Sequence, residues 1–544
     1  MLRSTQWTRS NSFQNCAGPV APVLVFLISL LMLVMSGCGA RASSGGNNTP
    51  PPLVGDITID FSGRAGGVAI PAKFFGAQLG LPISGMQTLV ANGISGTRLY
   101  GYVPDVFATQ SPDWTKIDTT LDKLQQSGMK AILMITYTPP WLQPASAPCS
   151  ASVPAGNHAH TYNAAPSDNN AYASIGAQYV AHIDQKYPGL VQYYEIWNEA
   201  DQVNQFCGLN PGDSDTVRLG QYKALYQAVA TAMKRQAATD GVSILVGGPA
   251  LGNSNGGSND WISQIVGLTN NGAKLVDFVS YHQYLAGDDV SHTMTWDGAG
   301  GTTSLYARTI DPNTGIAANY QRVAGLASGV PVIFDEYSDD WDFFNTCCKN
   351  TPKYSPVWNT MVFALIANTT YSGSPMLAHL NYYSSSNQPF CLLGYVGNGV
   401  GDGVYSCGTG GTLLPYPQFR ALELLASPNF LGLQANGGNL AKSVTNTASM
   451  NSSGLVSTAF YTPGSDAVVL VNPTATSISN VALMIGNHGL NNPTATQYLL
   501  NASTYSATTD MNGTALALTA SGASAEATVT IPPYSVLAIK VTGR

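Results

Sequence analysis

The chain has 544 residues, only 10% of them charged, and a formal net charge of −7. This length exceeds one ordinary domain, and a hydrophobic content of 44% is too high for a disordered chain. The negative charge disfavours nucleic acid as a partner, because duplex-binding proteins are usually basic. The seven His residues form no HExxH pair or zinc-type His/Cys cluster, so we expect no metal and no other cofactor.

The N-terminus has the pattern of an export signal. Arg3 and Arg9 give it a positive start, and the apolar run over 20–35 is short for a membrane span. The segment ending in Cys38 resembles a bacterial lipobox, which predicts a lipoprotein signal peptide over 1–38 and a lipid anchor on Cys38 at the cell envelope. A plain signal peptide and a retained anchor helix are the alternatives. Residues 39–55, rich in Gly, Ser, Asn and Pro, predict a flexible tether.

Six Cys residues follow Cys38, and an even count in an exported protein suggests disulfides. The candidate pairings are Cys391 with Cys407, Cys149 with Cys207, and the adjacent Cys347 and Cys348 with each other or with other Cys residues. A catalytic thiol is the competing interpretation, although no His lies beside any of them in a recognisable motif.

Short apolar runs alternate with helical periodicity between residues 72 and 427, a pattern typical of repeated βα units. The predicted strands are Phe74–Gly80, Gly96–Tyr100, Ala131–Thr138, Tyr193–Glu199, Ser243–Pro249, Phe278–Tyr284, Val332–Tyr337 and Leu377–Tyr383. The predicted helices are Trp114–Ser127, Asn170–Lys186, Thr216–Ala238, Trp261–Leu268, Leu305–Leu326, Ser355–Asn368 and Gln418–Leu425. Eight such repeats predict an α/β fold, the (β/α)₈ TIM barrel.

The pattern changes at residue 428. From there to 544 helical periodicity is weak, and short β-rich runs are separated by Gly, Asn, Pro and Ser turns. The runs are Ala467–Asn472, Val481–Ile485, Thr496–Leu500, Ala527–Ile531 and Ser535–Val541. They predict a C-terminal antiparallel β-sandwich. Residues 56–71 contain an alternating β pattern at Ile57–Phe61, and we expect this N-terminal strand to join the sandwich.

Two of the predicted barrel strands end in glutamate. The fourth ends in Asn198 and Glu199, and the seventh ends in Glu336. A TIM barrel places its chemistry at the carboxyl ends of its strands, and hydrolysis of a glycosidic bond needs two carboxyl groups. We therefore predict a retaining glycoside hydrolase acting on a carbohydrate substrate, with Glu199 as acid/base, Glu336 as nucleophile and Asn198 bound to the sugar 2-hydroxyl. A surface Glu after a core strand is the alternative for Glu199.

Polar residues at two further strand ends are candidate partners of the glutamates. Alternation places His282 and Tyr284 on one face of the sixth strand. We expect Tyr284 to orient Glu336, and His282 to bridge towards Glu199. Arg98 lies in an apolar context at the end of the second strand, and a buried Arg needs a carboxylate partner such as Glu336. A core histidine and a salt bridge from Arg98 to another acid are the alternatives.

Aromatic residues follow several predicted strands, and their rings suit stacking on sugars. The candidates for substrate contact are Trp141, Tyr337, Trp341 and Tyr382. Plain packing is the alternative for each of them. Simple alternation places Asp335 on the side of its strand opposite to Glu336, so we expect Asp335 to be structural.

These motifs resemble the clan of (β/α)₈ retaining glycoside hydrolases with catalytic glutamates on strands four and seven. The residues that carry the resemblance, within about 70–427, are Trp197-Asn198-Glu199, His282 with Tyr284, and Phe334-Asp335-Glu336-Tyr337. The appended sandwich is similar to families 39, 30, 51 and 79, and family 39 is nearest. The resemblance implies double displacement without a cofactor.

The chain departs from the family pattern at two places. Asn381-Tyr382-Tyr383 stands where many members carry a Trp at the end of strand eight. Asp335 and Tyr337 flank the predicted nucleophile in place of the Thr and Trp common in family 39.

Two other interpretations stay open at this point. A catalytically inactive, cell-surface glycan-binding lipoprotein would also carry aromatic clefts, but it would not need both Glu199 and Glu336. An inverting hydrolase would hold its carboxyl groups ~6.5–9.5 Å apart, against ~5–5.5 Å for retention. For either enzyme we expect a monomer.

Overall fold

The computed structural model describes residues 55–63, 67–78, 81–145, 162–210, 212–252, 260–286, 294–340, 348, 351–383, 391–395 and 413–543. Leu53–Arg544 belong to one compact unit. The predicted signal peptide over 1–38, with Cys38, and all but the last residue of the tether over 39–55 lie outside the described residues. None of the described helices is long and apolar enough to cross a membrane.

Eight parallel strands close into a barrel, in which the eighth strand pairs with the first. In chain order they are Phe75–Ala77, Gly96–Tyr102, Lys130–Thr136, Val191–Ile196, Leu245–Leu251, Phe278–Ala286, Val332–Asp340 and His379–Tyr382. Each overlaps one predicted run. The predicted TIM barrel is therefore confirmed, and the carboxyl ends of its strands share one opening.

Helices connect the barrel strands. They are Ile83–Ala91, Val103–Val106, Thr115–Ser127, Asn169–Lys186, Asp215–Asp240, Trp261–Val266, Leu305–Ile310, Ile316–Leu326, Ser355–Tyr371 and Pro417–Ala426. The predicted helix Leu305–Leu326 is two helices, because Pro312 interrupts it and the Asp311 side chain accepts from the backbone N–H of Asn313 and Thr314. The helix Ile83–Ala91 was not predicted, and it begins without a side-chain cap.

The C-terminal region forms two stacked sheets, so the predicted β-sandwich is confirmed. The first has the order Ser443–Asn446, Ile57–Asp60, Ile478–Gly486, Ser524–Ile531 and Thr519–Ser521. The second has the order Asn439–Leu440, Val456–Thr462, Ser465–Asn472, Ser535–Thr542, Thr494–Leu500 and Gly513–Leu516. All pairs are antiparallel except that of Ile57–Asp60 with Ile478–Gly486, which is parallel. The short helix Ala448–Ser452 connects two strands.

Three short strand pairs lie in connecting segments. They are Thr269–Asn270 with Ala273–Lys274, Met294–Thr295 with Thr303–Ser304, and Leu393–Tyr395 with Leu413–Pro415.

Two neighbouring strands of the six-stranded sheet, Val456–Thr462 and Ser465–Asn472, are buried on both faces. Val468 and Leu470 face the core between the two sheets. Val469 and Val471 belong instead to the barrel's core, and their strand packs against the barrel helix Ser355–Tyr371. This double burial explains why the sequence is continuously apolar here, where a strand with one solvated face would alternate.

The barrel interior is divided into two layers. The lower layer is apolar and consists of the buried Ile132, Phe278 and Ile333, the half-buried Tyr193 and Leu245, and His379, whose ring lies 4.8 Å from that of Tyr193. The upper layer, towards the carboxyl ends of the strands, is charged and consists of Arg98, Glu195, His282, Asp335 and Glu336. Polar chemistry is thus confined to one end of the barrel.

Three cysteines of the described residues, Cys207, Cys348 and Cys391, are disulfide-bonded. The other members of the predicted pairings, Cys149, Cys347 and Cys407, lie outside the described residues.

Candidate active site

A β-bulge in the seventh strand turns two adjacent carboxylates into the barrel. Its pairing with the sixth strand places Phe334 opposite Tyr281 and then Glu336 opposite His282, with one extra residue between. Asp335 and Glu336 therefore both point inwards, and both form ion pairs with Arg98. The expectation that Asp335 lies on the opposite side of the strand is wrong, because it assumed unbroken alternation.

Glu336 is 5% exposed and receives donors on both oxygens. Its Oε1 lies 2.5 Å from Arg98 Nη1, and 3.4 Å each from Gln78 Nε2 and Tyr100 Oη. Its Oε2 accepts a hydrogen bond of 2.7 Å from Tyr284 Oη. These donors belong to the first, second and sixth strands or their ends, so the carboxylate is fixed from three directions.

Arg98 is fully buried and joins most of the upper layer. Its Nε donates to Glu195 Oε2 at 2.6 Å, and its Nη2 donates to Asn198 Oδ1 at 3.0 Å. The same Nη2 lies 3.1 Å from Asp335 Oδ2. Burial disfavours the charged guanidinium, but the carboxylates of Glu195, Asp335 and Glu336 outweigh it and raise the pKa of Arg98 well above its usual value. The sequence left two alternatives for the partner of Arg98, Glu336 or another barrel acid. In the structure Arg98 pairs with Glu336 and with other barrel acids at the same time.

Glu199 is placed by a strained turn after the fourth strand, which ends at Ile196. Trp197 and Glu199 have φ angles of 77° and 45°, a region that non-Gly residues rarely adopt. The Glu199 N–H donates to the Ala250 carbonyl at 2.8 Å, which ties this turn to the fifth strand. A Cβ on Gly252 would lie 2.9 Å from Glu199 Cδ, so a side chain there would displace the carboxylate. The Glu199 side chain is 22% exposed at the opening.

His282 lies between the two glutamates. Its Nδ1 is 2.9 Å from Glu199 Oε1 and 3.5 Å from Glu336 Oε2, so these oxygens are separated by at most the sum, about 6.4 Å. Its Nε2 is 3.3 Å from Asp335 Oδ2. Burial opposes protonation, but the Glu336 and Asp335 carboxylates raise the pKa of His282 well above its usual value. The site thus pairs one solvent-accessible and one enclosed carboxyl group across one imidazole ring.

Comparison with protein families decides the class of this site. Residues 96–490 match the family model described as glycosyl hydrolases family 39. The chain belongs to glycoside hydrolase family 39. No match was found among the curated proteins. As a member of this family the protein is a glycoside hydrolase.

Solved structures share the complete architecture. The chain resembles a family 39 enzyme from Xanthomonas axonopodis pv. citri (TM-score 0.58, 15% identity, covering 90% of this chain and 97% of that one). It also resembles a family 39 β-xylosidase from Caulobacter crescentus (0.54, 16%, 89% and 99%). A family 30 endoxylanase from Clostridium papyrosolvens C71 is similar too (0.56, 13%, 90% and 100%). At these identities the likeness shows the fold.

Two aromatic residues predicted to contact substrate lie in the barrel wall of this glycoside hydrolase. Tyr337 is fully buried and Tyr382 is 1% exposed; their rings pack edge to face at 5.5 Å, and Tyr337 stacks on Trp358. They do not line the opening, which corrects the prediction. Tyr337 lies on the side of its strand opposite to Glu336, where it stacks on Trp358, and the ring that faces Tyr284, at 6.1 Å, is that of the half-buried Tyr383.

Of the two tryptophans predicted to contact substrate, the structure describes only Trp141. Trp141 is half-buried, packs against the barrel core and donates its indole N–H to the Phe107 carbonyl at 3.0 Å. Its indole nitrogen is therefore engaged within the protein. Trp341 lies outside the described residues.

Sequence reasoning missed Gln78, Tyr100 and Glu195. Glu195 is a charged residue inside a buried strand, which was a usable signal for a partner of Arg98. Burial raises the pKa of Glu195 to about 7, although Arg98 opposes the rise. Tyr100 lies two positions after Arg98 and so shares its face by alternation. Gln78 follows a strand of only three residues, Phe75–Ala77, and gave no comparable signal.

The chemistry available at this opening is that of carboxyl groups and their donors. Among the residues that the structure describes, no group of three or more His, Cys, Asp or Glu side chains could hold a metal ion. The ion pairs of Glu336 and the exposure of Glu199 instead give two carboxyl groups distinct surroundings, the arrangement that divides acid and nucleophile roles.

Proposed function

We propose that this glycoside hydrolase acts with retention, by double displacement, with Glu336 as nucleophile and Glu199 as acid/base. The observation that carries the proposal is the contact of both carboxyl groups with His282, which limits their nearest oxygens to about 6.4 Å. Retaining enzymes hold these groups ~5–5.5 Å apart, and inverting enzymes ~6.5–9.5 Å apart to admit a water. The shared contact with one imidazole ring holds the two groups close together, as double displacement requires.

The surroundings of the two glutamates support these roles. Glu336 is enclosed and ion-paired with Arg98, so it is presented as a carboxylate to the anomeric carbon. Glu199 is more exposed and can pass a proton to the leaving oxygen as the bond to the sugar breaks. In the second step Glu199 takes a proton from water, the water oxygen bonds to the anomeric carbon, and Glu336 is released.

The remaining polar groups orient this pair and the sugar. Arg98 and Tyr284 hold Glu336, and Arg98 also fixes the amide of Asn198 by donating to its oxygen. We propose that Asn198 binds the sugar 2-hydroxyl. We also propose that the Tyr100 ring stacks on the sugar, because Tyr100 is 38% exposed and its hydroxyl lies near Glu336. The roles of Trp141 and Trp341 in substrate binding stay predictions.

The stereochemistry of the first product tests the mechanism. The Caulobacter relative is a β-xylosidase and the Clostridium relative an endoxylanase, so aryl β-xylosides and xylan are the first substrates to try. Proton NMR during early turnover should show the released sugar with the anomeric configuration of the substrate. First release of the opposite anomer would contradict double displacement, and glycan binding without turnover would favour the inactive binding protein.

We also propose that the protein is exported and anchored through a lipid on Cys38, as a monomer. The positive start, the apolar run and the lipobox-like segment support the anchor. The disulfide bonds of Cys207, Cys348 and Cys391 are those of an oxidising compartment. The wild type should incorporate labelled palmitate when expressed in a bacterial host, and Cys38→Ala should not. Absence of label in the wild type would count against the lipid anchor.

A further inference from the structure

Asp335 is a fully buried carboxylate to which double displacement assigns no task. The bulge in the seventh strand turns it into the upper layer beside Glu336. Its Oδ2 lies 3.1 Å from Arg98 Nη2 and 3.3 Å from His282 Nε2. A buried charge is costly unless it is paired, and Asp335 is paired with the guanidinium of Arg98.

The ring of His282 has carboxylates on two sides. Nδ1 faces Glu199 at 2.9 Å, and Nε2 faces Asp335 at 3.3 Å. A neutral imidazole has one N–H, so it can donate to only one of these two carboxyl groups. An imidazolium can donate from Nδ1 to Glu199, and its positive charge forms an ion pair with Asp335, where Nε2 and Oδ2 lie 3.3 Å apart outside hydrogen-bond geometry.

We propose that Asp335 is a positioning residue that holds His282 as an imidazolium, with Nε2–H towards Asp335 and Nδ1–H towards Glu199. The inference rests on the proposed function in one respect, that Glu199 is the acid/base. Through His282, Asp335 thereby connects Glu199 to the seventh strand, which also carries Glu336.

Charged and titratable groups surround this ring from several elements. Glu199 after the fourth strand and Asp335 and Glu336 on the seventh contact the ring, and the Tyr284 ring on the same strand lies 6.1 Å away. Arg98 on the second strand pairs with Asp335 and Glu336, and Glu195 on the fourth pairs with Arg98. Burial opposes the charge on His282, whereas the Glu336 and Asp335 carboxylates raise its pKa. The balance therefore depends on the carboxylates that touch the ring.

The proposed reaction explains why a second, unreacting carboxylate is useful. When Glu336 bonds to the anomeric carbon and Glu199 gives its proton to the leaving oxygen, one negative charge passes from Glu336 to Glu199. His282 touches both, at 3.5 Å and 2.9 Å, so its positive charge is near the negative charge in either state. Asp335 forms no bond to substrate. It keeps the ring protonated while the Glu336 charge is absent.

NMR of the imidazole nitrogens tests the proposal directly on the full-length, ¹⁵N-labelled protein. His282→Gln assigns the resonance among the seven histidines. In the wild type both nitrogens of His282 should be protonated at neutral pH. Asp335→Asn should lower the titration midpoint of His282 by about one pH unit or more. Glu195→Gln is the matched control, the same acid-to-amide change on the other side of Arg98, and it should shift the midpoint less than half as much.

Two results would overturn the proposal. One is a neutral His282 ring in the wild type at neutral pH, a measurement that needs no variant to fold. The other is an equal shift of the His282 midpoint in Asp335→Asn and Glu195→Gln. That result would mean that the total charge of the site, and not contact with Asp335, determines the pKa of His282. Neither result depends on turnover, so failure of the retaining mechanism is detected separately by product stereochemistry.

A kinetic readout separates positioning from mere folding. The basic limb of the kcat profile should move to lower pH in Asp335→Asn, in the direction of the NMR midpoint, because His282 loses its proton earlier. A purely structural role would lower kcat equally at every pH, and that outcome would contradict the inference.

Discussion

The two layers of the barrel interior each contain a buried histidine, and their surroundings shift the two pKa values in opposite directions. In the upper layer the Glu336 and Asp335 carboxylates raise the pKa of His282, despite burial. In the lower layer His379 has a backbone carbonyl, that of Lys73, at 2.9 Å and the ring of Tyr193, and burial lowers its pKa to about 4. Depth is the same for both. The neighbouring charges decide the direction of the pKa shift.

This contrast assigns different consequences to changes in each layer. The upper layer holds paired charges that are aimed at the opening, so changes there should alter turnover. The lower layer holds close-packed apolar side chains, so changes there should alter stability and leave turnover as it is. Each of the following experiments tests whether the layers are separable in this way.

Removing the nucleophile should have the largest effect. Glu336→Ala should lower turnover by on the order of 10⁴-fold or more, because the covalent step has no substitute. Aryl glycoside hydrolysis measures the loss, and added azide should restore part of it as a glycosyl azide of inverted configuration. An unchanged circular dichroism spectrum serves as the control for folding. Activity close to that of the wild type would remove Glu336 from the mechanism.

Removing the acid/base should give a smaller loss that depends on the leaving group. Glu199→Ala should slow cleavage of poor leaving groups by about 10²–10⁴-fold, the usual contribution of general acid catalysis. Bond cleavage in dinitrophenyl glycosides, which need no protonation, should be nearly unaffected. Pre-steady-state release of the phenol measures this step. Equal losses for both substrate types would argue that Glu199 is not the proton donor.

Much of the upper layer was predictable because strand ends in a TIM barrel share one opening. The contacts of Arg98 and Tyr284 with Glu336, and of His282 with Glu199, follow from placing each residue at the end of its strand. The barrel itself followed from apolar runs alternating with helical periodicity.

What sequence reasoning missed has identifiable physical causes. A β-bulge depends on pairing between two strands, so alternation within one strand could not place Asp335 on the same side as Glu336. The helix Ile83–Ala91 lacks a side-chain cap and contains Gly85, a weak helix former. The break before Ile316 was visible as Asp311 followed by Pro312, and it should have ended the predicted helix.

In the lower layer, the stability of the protein should depend on the neutral state of His379. The unfolded chain binds a proton near the ordinary histidine pKa of about 6.5, whereas the folded protein binds it only near pH 4. The wild type should therefore lose stability as pH falls through this window, by on the order of 3 kcal/mol relative to His379→Gln. Urea unfolding at several pH values measures the difference. A pH-independent difference would show that His379 is not held neutral.

Ile333→Val is the smallest change, and it tests the separation of the two layers most sharply because Ile333 lies next to the upper layer. Ile333 is fully buried in the lower layer, two residues before Asp335 on the same strand. Ile333→Val removes one methylene group and should lower the free energy of unfolding by about 0.5–1.5 kcal/mol. The charges above it stay in place, so kcat and KM should match those of the wild type. A loss of kcat without a loss of stability would mean that packing below the bulge sets the position of Asp335 and Glu336, and the two layers would then act as one unit.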